Sequence, residues 1–124
     1  MAKVSSVHFI LKGKTDYQDL VPVFPDILKI ILAENGHFQS EEDEDNREMF
    51  IEINMSDLEQ NRKPEGYNRK GKYRLIFPID SKEFYIRTVV AKPNELKRVG
   101  DSVAQILSTA KVSFDTSSDD DELD

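Results

Sequence analysis

KYRLIFPIDSKEFYIRTVVA, residues 72–91, decides the fold. Its first part places Tyr73, Leu75 and Phe77 on one face of an extended segment over 72–79, and its last part, 83–91, is rich in β-branched and aromatic residues. Only Asp80-Ser81-Lys82 joins them. Two strands across so short a link form an antiparallel hairpin, because a parallel return needs a crossover of about a dozen residues or more. The rest of the chain must supply further strands and a cover for this hairpin.

Upstream, residues 4–12 have period-two character, with Val7, Phe9 and Leu11 on one face and Ser6, His8, Ile10 and Lys12 on the other. Gly13-Lys14-Thr15-Asp16 reads as a turn, and Thr15 or Asp16 can cap a helical segment starting there. Leu20, Phe24, Ile27, Ile30 and Ile31 recur at helical spacing. Pro22 and Pro25 cannot both lie inside a regular helix, since each lacks an N–H and crowds the preceding turn. This predicts a short helical turn near 16–21 and a main helix over 25–34, stopped by Asn35-Gly36. Residues 49–55 alternate, with Ile51, Ile53 and Met55 opposite Glu52 and Asn54, and predict another strand. A long polar link, 56–71, separates it from the hairpin, and loops of that length are usually functional or disordered. After Pro93, the stripe Leu96, Val99, Val103, Ile106 and Leu107 predicts a final amphipathic helix that Gly100 weakens without breaking. No internal repeat is present.

These elements predict an α+β fold: a single antiparallel sheet of four to five strands with two helices packed on one face. The order is strand, helix, three strands, helix, of which a ferredoxin-like arrangement is one form. Residues 1–114 are expected as one domain and 115–124 as a disordered acidic tail, too poor in apolar surface to fold.

With 124 residues the chain can bury one core without staples. The absence of cysteine excludes disulfides, thiolate metal sites and cysteine nucleophiles, and favours a cytoplasmic protein. The longest apolar run, 27–33, is interrupted by Lys29 and is too short to cross a bilayer, and the first residues lack the apolar stretch of a signal peptide. No membrane partner is expected.

Charge is sorted into blocks. Against 17 Lys and Arg stand 24 Asp and Glu, a net of −7. Five of the acids occupy 41–45, and Asp115, Asp119, Asp120, Asp121, Glu122 and Asp124 supply six more. Without these eleven, the remainder carries a net of +4. Six cations, Arg62, Lys63, Arg69, Lys70, Lys72 and Arg74, fall within thirteen residues, interleaved with Tyr67 and Tyr73. Cations that follow a phosphate backbone and flat rings on which bases stack are what single-stranded nucleic acid requires, so these eight residues are the candidate site. The alternative reading of the same residues is a solvated loop with Tyr73 packed in the sheet. The tail residues Asp119, Asp120, Asp121, Glu122 and Asp124 are expected to compete for this link, or to dock on the basic surface of another protein.

Other chemistry is thinly supported. Glu41, Asp43, Asp45 and Glu52 fall at EF-hand ligand spacing, but Asn46 stands where that loop requires glycine. Gly13-Lys14-Thr15 resembles the end of a phosphate-binding loop, yet His8 occupies the position of its first glycine. Two histidines without cysteine make a zinc site improbable, and nothing in the sequence brings His8 and His37 together. Ser5-Ser6 lacks the turn context of a nucleophilic serine, and carboxylates in a solvated run have no apolar neighbours to raise their pKa. The expectation is a small, non-enzymatic, cofactor-free accessory protein that binds nucleic acid through 62–74. The alternative is a protein-interaction module or inhibitor whose acidic segments engage a basic partner. Nothing in the sequence sets the oligomeric state.

Overall fold

The computed structural model of the chain describes residues 2–34, 41–67, 72–79, 81–89 and 91–123. Its elements are β1 (Ala2–Leu11), a 3₁₀ turn (Tyr17–Leu20), α1 (Phe24–Glu34), α2 (Glu41–Glu59), β2 (Arg74–Ile76), β3 (Glu83–Thr88), α3 (Pro93–Thr109) and β4 (Phe114–Leu123). The strands form one four-stranded sheet in the order β2-β3-β1-β4, every neighbouring pair antiparallel. Because β1 and β2 are both antiparallel to β3, they run parallel, and α1 and α2 lie in the crossover between them. Strands β3 and β4 are related in the same way through α3. That is the split, ferredoxin-like order.

Alternation along β1 divides the sheet into two faces. Val7, Phe9 and Leu11 are buried, and opposite them stand Ile86, Phe84 and Phe114. Leu75 on β2 continues the same face through its partner Ile86. The Phe9 and Phe84 rings stack 5.0 Å apart. Helix α3 covers this face as its stripe requires, with Leu96, Val99, Val103 and Leu107 all buried. Gly100 has a use here: a Cβ at that position would lie 3.3 Å from Val7 Cγ1, so glycine lets the helix approach the strand. Helix α1 contributes Phe24, Ile27, Leu28, Ile31 and Leu32, and Asp16 caps the 3₁₀ turn in a reciprocal box with Asp19. The helical stop expected at Asn35-Gly36 lies outside the described residues.

The structure differs from these expectations in four places. Among the described residues there are three helices, not two, and residues 49–55 are part of α2 rather than a strand. Phe50, Asn54 and Leu58 recur every four residues, as do Ile51 and Met55, so the segment also fits a helix that buries 54 and 58 and half-buries 50, 51 and 55. The acids of 41–45 then occupy the first turns, where the helix dipole favours negative charge, whereas Glu, Asp and Asn are poor strand formers. That placement also removes the calcium-loop frame. Among the described residues no group of three or more His, Asp or Glu side chains is placed to hold a metal.

Second, the polar link is shorter and more structured than expected. Helix α2 takes it up to Glu59, Asn61 turns the chain with φ 56°, and Tyr67 pairs with Leu75 on the outer edge of β2 through bonds of 2.7 and 2.8 Å. Buried Asn54 fastens α2 to this edge: its Oδ1 accepts from Gly66 N at 2.7 Å and its Nδ2 donates to Gly66 O at 3.2 Å. Gly66 has φ +76°, and a Cβ there would sit 2.3 Å from Leu75 O.

Third, the disordered acidic tail expected over 115–124 is not shown. Residues 115–123 form β4 with Phe114, in register with β1 from Leu11↔Phe114 to Ala2↔Leu123. Composition forbids the segment a core of its own, but β1 offers it a row of unpaired backbone groups, and an acidic strand at an edge discourages further pairing. Fourth, β4 and β2, the strand that carries Arg74, stand at opposite edges of the sheet. Asp124 lies outside the described residues. No described helix is long and apolar enough to cross a membrane.

Candidate functional site

The eight residues expected to bind nucleic acid meet different fates. Tyr67 and Tyr73 are buried, at 4% and 0% exposure, and Phe50 meets Tyr67 edge-on at 5.0 Å. Neither ring can present a face to a base, and desolvation pushes the Tyr73 hydroxyl above its ordinary pKa. Arg62 is paired with Asp57 at 2.9 Å. Lys72 is paired with Glu95; the hydrogen bond between them raises the lysine pKa and lowers that of the carboxylate. Lys63 is half-buried, its Nζ 3.5 Å from Pro64 O. Arg69 and Lys70 lie outside the described residues. Of the tail, 119–122 stand in β4.

Arg74 remains, and its strand gives it company. On β2 it directly opposes Arg87 of β3, on the face turned away from Leu75 and Ile86. Like charges directly opposite one another destabilise a sheet, and a carboxylate between them would relieve the repulsion. Among the described residues neither guanidinium group has a hydrogen bond or an ion pair. Both line a hollow of about 220 Å³ together with Lys72, Thr88 and Val89.

The register extends this row. Arg87 opposes Ser6 on β1, and Ser6 opposes Asp119 on β4. In the next row Ile76 opposes Tyr85, Tyr85 opposes His8, and His8 opposes Ser117. The Tyr85 and His8 rings stack, with centroids 4.7 Å apart and planes 28° from parallel. Around them this face carries half-buried or exposed side chains: Arg74, Ile76, Glu83, Arg87 and the 38%-exposed Ile10. Its charge is polarised, with arginine on the β2–β3 side and Asp115 on β4 at the other edge.

His8 is held from both sides. Its Nδ1 lies 2.9 Å from Glu83 Oε2, and its Nε2 lies 3.0 Å from Ser6 Oγ. The hydroxyl of Ser81 donates to the other oxygen of Glu83 at 2.7 Å. The carboxylate can only accept from Nδ1, so Nδ1 carries the proton in the neutral ring and Nε2 accepts from the serine hydroxyl.

Sequence patterning does not single out Ser6, His8, Glu83, Tyr85 and Arg87 as a group, although it carries a partial signal. Ser6 and His8 share a face by period two, and Glu83, Tyr85 and Arg87 alternate along β3 in the same way. What the sequence lacks is the strand order that makes β1 and β3 neighbours. A larger hollow, about 1,020 Å³, lies at the end of the sheet beside Lys14 and Lys111. It is a weaker anion site, because Asp19 lines it too and Lys12 is spent on Asp115 at 3.5 Å.

Comparison of the chain with protein-family models, curated proteins and solved structures gives no match.

Proposed function

We propose that this protein binds single-stranded nucleic acid on the polar face of its sheet. Arg74 and Arg87 contact phosphates there, and the Tyr85–His8 stack offers a ring surface that an unpaired base extends. The observation that carries the reading is the Arg74–Arg87 pair, two opposed guanidinium groups without a counter-charge among the described residues. Guanidinium forks match phosphate oxygens, and a polyanion turns their mutual repulsion into a shared attraction. Rings on the two central strands of a four-stranded sheet are a recurrent surface for unpaired bases, each stacked base contributing about 1–3 kcal/mol. Binding is placed toward β2 and β3, because the acids of β4 repel phosphate from the other edge. This reading moves the interface from the 62–74 link to the sheet and keeps only Arg74 and, at the rim, Lys72. We place this activity in the cytoplasm, on the absence of cysteine.

Fluorescence anisotropy with a labelled oligonucleotide at several salt concentrations tests it. Log affinity should fall linearly with log salt, and the variant with Arg74→Ala and Arg87→Ala should flatten that slope by up to about 1.4, two phosphates' worth for a single strand. Equal affinity and slope for parent and variant would sink the proposal. The second reading, an acidic module for a basic protein, is favoured by one observation: β4 places its acids on an edge strand, where an extended basic segment can add to the sheet. In that case the arginine variant keeps its partner, and neutralising Asp115, Asp119 and Asp121 releases it.

A further inference from the structure

Ser6, His8 and Glu83 are linked in the order nucleophile, base, orienting carboxylate, and three structural features say what such a chain would act on. The hydrogen bonds of 3.0 and 2.9 Å are within the range for proton transfer and for orientation, and Ser81 fixes the carboxylate in turn. His8 and Glu83 keep 19% and 20% of their side-chain surface, so the base is neither sealed in nor freely solvated. Ser6 retains 9% exposure, on the same face and directly opposite Arg87.

The surroundings discriminate between substrates. Acyl transfer needs two converging N–H donors for the carbonyl oxyanion, usually from backbone freed at a turn. Ser6 instead lies within β1, which is laddered to β3 on one side and β4 on the other, so the backbone donors around it are committed to the sheet. Among the described residues, the cationic donors of this face without an ion pair are guanidinium groups, which suit the charge spread over the oxygens of a phosphoryl group.

We propose that Ser6 is a nucleophile for phosphoryl transfer and that its substrate is a phosphodiester held by Arg87 and Arg74. Ser6 Oγ attacks phosphorus and its proton passes to His8 Nε2, while Glu83 holds the imidazole in place. The ester P–O bond breaks and the leaving alkoxide takes the proton from His8. Water then attacks the seryl phosphodiester and gives its proton to His8, which passes it to Ser6 Oγ as the P–Oγ bond breaks. The sum is phosphodiester plus water giving a phosphate monoester and an alcohol. This rests on the proposed binding reading for its substrate but not for its nucleophile.

The experiment separates the two. The full chain is treated with diisopropyl fluorophosphate, which transfers its phosphoryl group to an activated serine with loss of fluoride, and the adduct is located by peptide mass mapping. One adduct is expected at Ser6, absent in Ser6→Ala and formed at least about tenfold more slowly in His8→Ala and in Glu83→Gln. Turnover of bis-p-nitrophenyl phosphate should be lost with Ser6→Ala. Circular dichroism confirms that each variant is folded. A folded parent that acquires no adduct at Ser6, or a His8→Ala variant labelled at the parent rate, overturns the nucleophile whatever the binding result. An adduct at Ser6 in a protein that binds no oligonucleotide supports the nucleophile and overturns the binding reading.

Discussion

Phe9 and Ile10 are neighbours on β1 and meet opposite environments. Phe9 is wholly buried between Phe84 and Phe114, whereas Ile10 stands 38% exposed among polar side chains. The same division holds across the sheet, where Ile86 is buried while its neighbours Tyr85 and Arg87 are not. One face therefore supplies cohesion, and the other carries groups that cost stability or add little to it: opposed arginines, a hydrogen-bonded histidine and an exposed isoleucine. A protein can hold such a surface only because the first face is secure. Chemistry and stability are thus separated residue by residue along each strand.

Substitution on β1 gives the largest contrast. Phe9→Ala empties a fully buried ring position and should cost about 3–5 kcal/mol, lowering the melting temperature by roughly 10 °C or more. Ile10→Ala should change stability by less than about 1 kcal/mol, since its contacts are partly with water. Thermal melts that rank the two equally would mean that the faces are not distinct.

Legibility follows the same division. Leu96, Val99, Val103 and Leu107 fit a 3.6-residue period and no other, so α3 and its buried face can be read directly. Residues 49–55 fit both periods: Ile51 and Met55 belong to an alternation and to an i,i+4 pair, and only the packing of Phe50 on Tyr67 and of Asn54 on Gly66 decides for α2. Strand β4 is illegible because its cause lies in β1, whose free edge it pairs, rather than in its own side chains. In the site, Arg74 is visible as part of a basic run. Arg87, Ser6 and His8 gain meaning only from the register of β3 against β1, which no local pattern carries. Tyr67 and Tyr73 mislead because a tyrosine in a basic segment reads the same whether its ring packs inward or outward.

A smaller effect tests the polar layer at the end of the sheet. Asp16 accepts from Tyr17 N, Asn61 and Lys82, and the backbone bond from Tyr17, above all, holds its carboxyl below the ordinary range. A carboxylate with a lowered folded pKa stabilises above its unfolded pKa, and that stabilisation is lost as pH falls through the folded value. Melts should therefore show stability falling as pH drops below about 4. Asp16→Ala should lose about 1 kcal/mol at neutral pH, mainly the cap, and should flatten that acid limb. A variant whose acid limb superimposes on the parent's would assign the loss to other carboxylates.

The smallest expected change in stability belongs to β4, and it separates a strand from a tail. Removing residues 115–124 takes away a ladder whose hydrogen bonds each contribute about 0.5–1.5 kcal/mol net of water. Ordering the same residues costs about 1–2 kcal/mol each in backbone entropy. These terms nearly cancel, and the acids brought side by side on one strand add repulsion, so the melting temperature should move by only a few degrees. Amide exchange is the sensitive measurement. In the full chain, β1 amides that bond to β4 should be protected, and protection in β4 itself should rise with salt as screening weakens the repulsion. In the truncated chain those β1 amides should exchange faster, while the amides that bond β1 to β3 keep their protection. If truncation leaves β1 exchange unchanged, the segment does not pair with the sheet in solution; if it lowers the melting temperature by tens of degrees, β4 belongs to the cohesive part of the molecule and the division between the two faces does not extend to that edge.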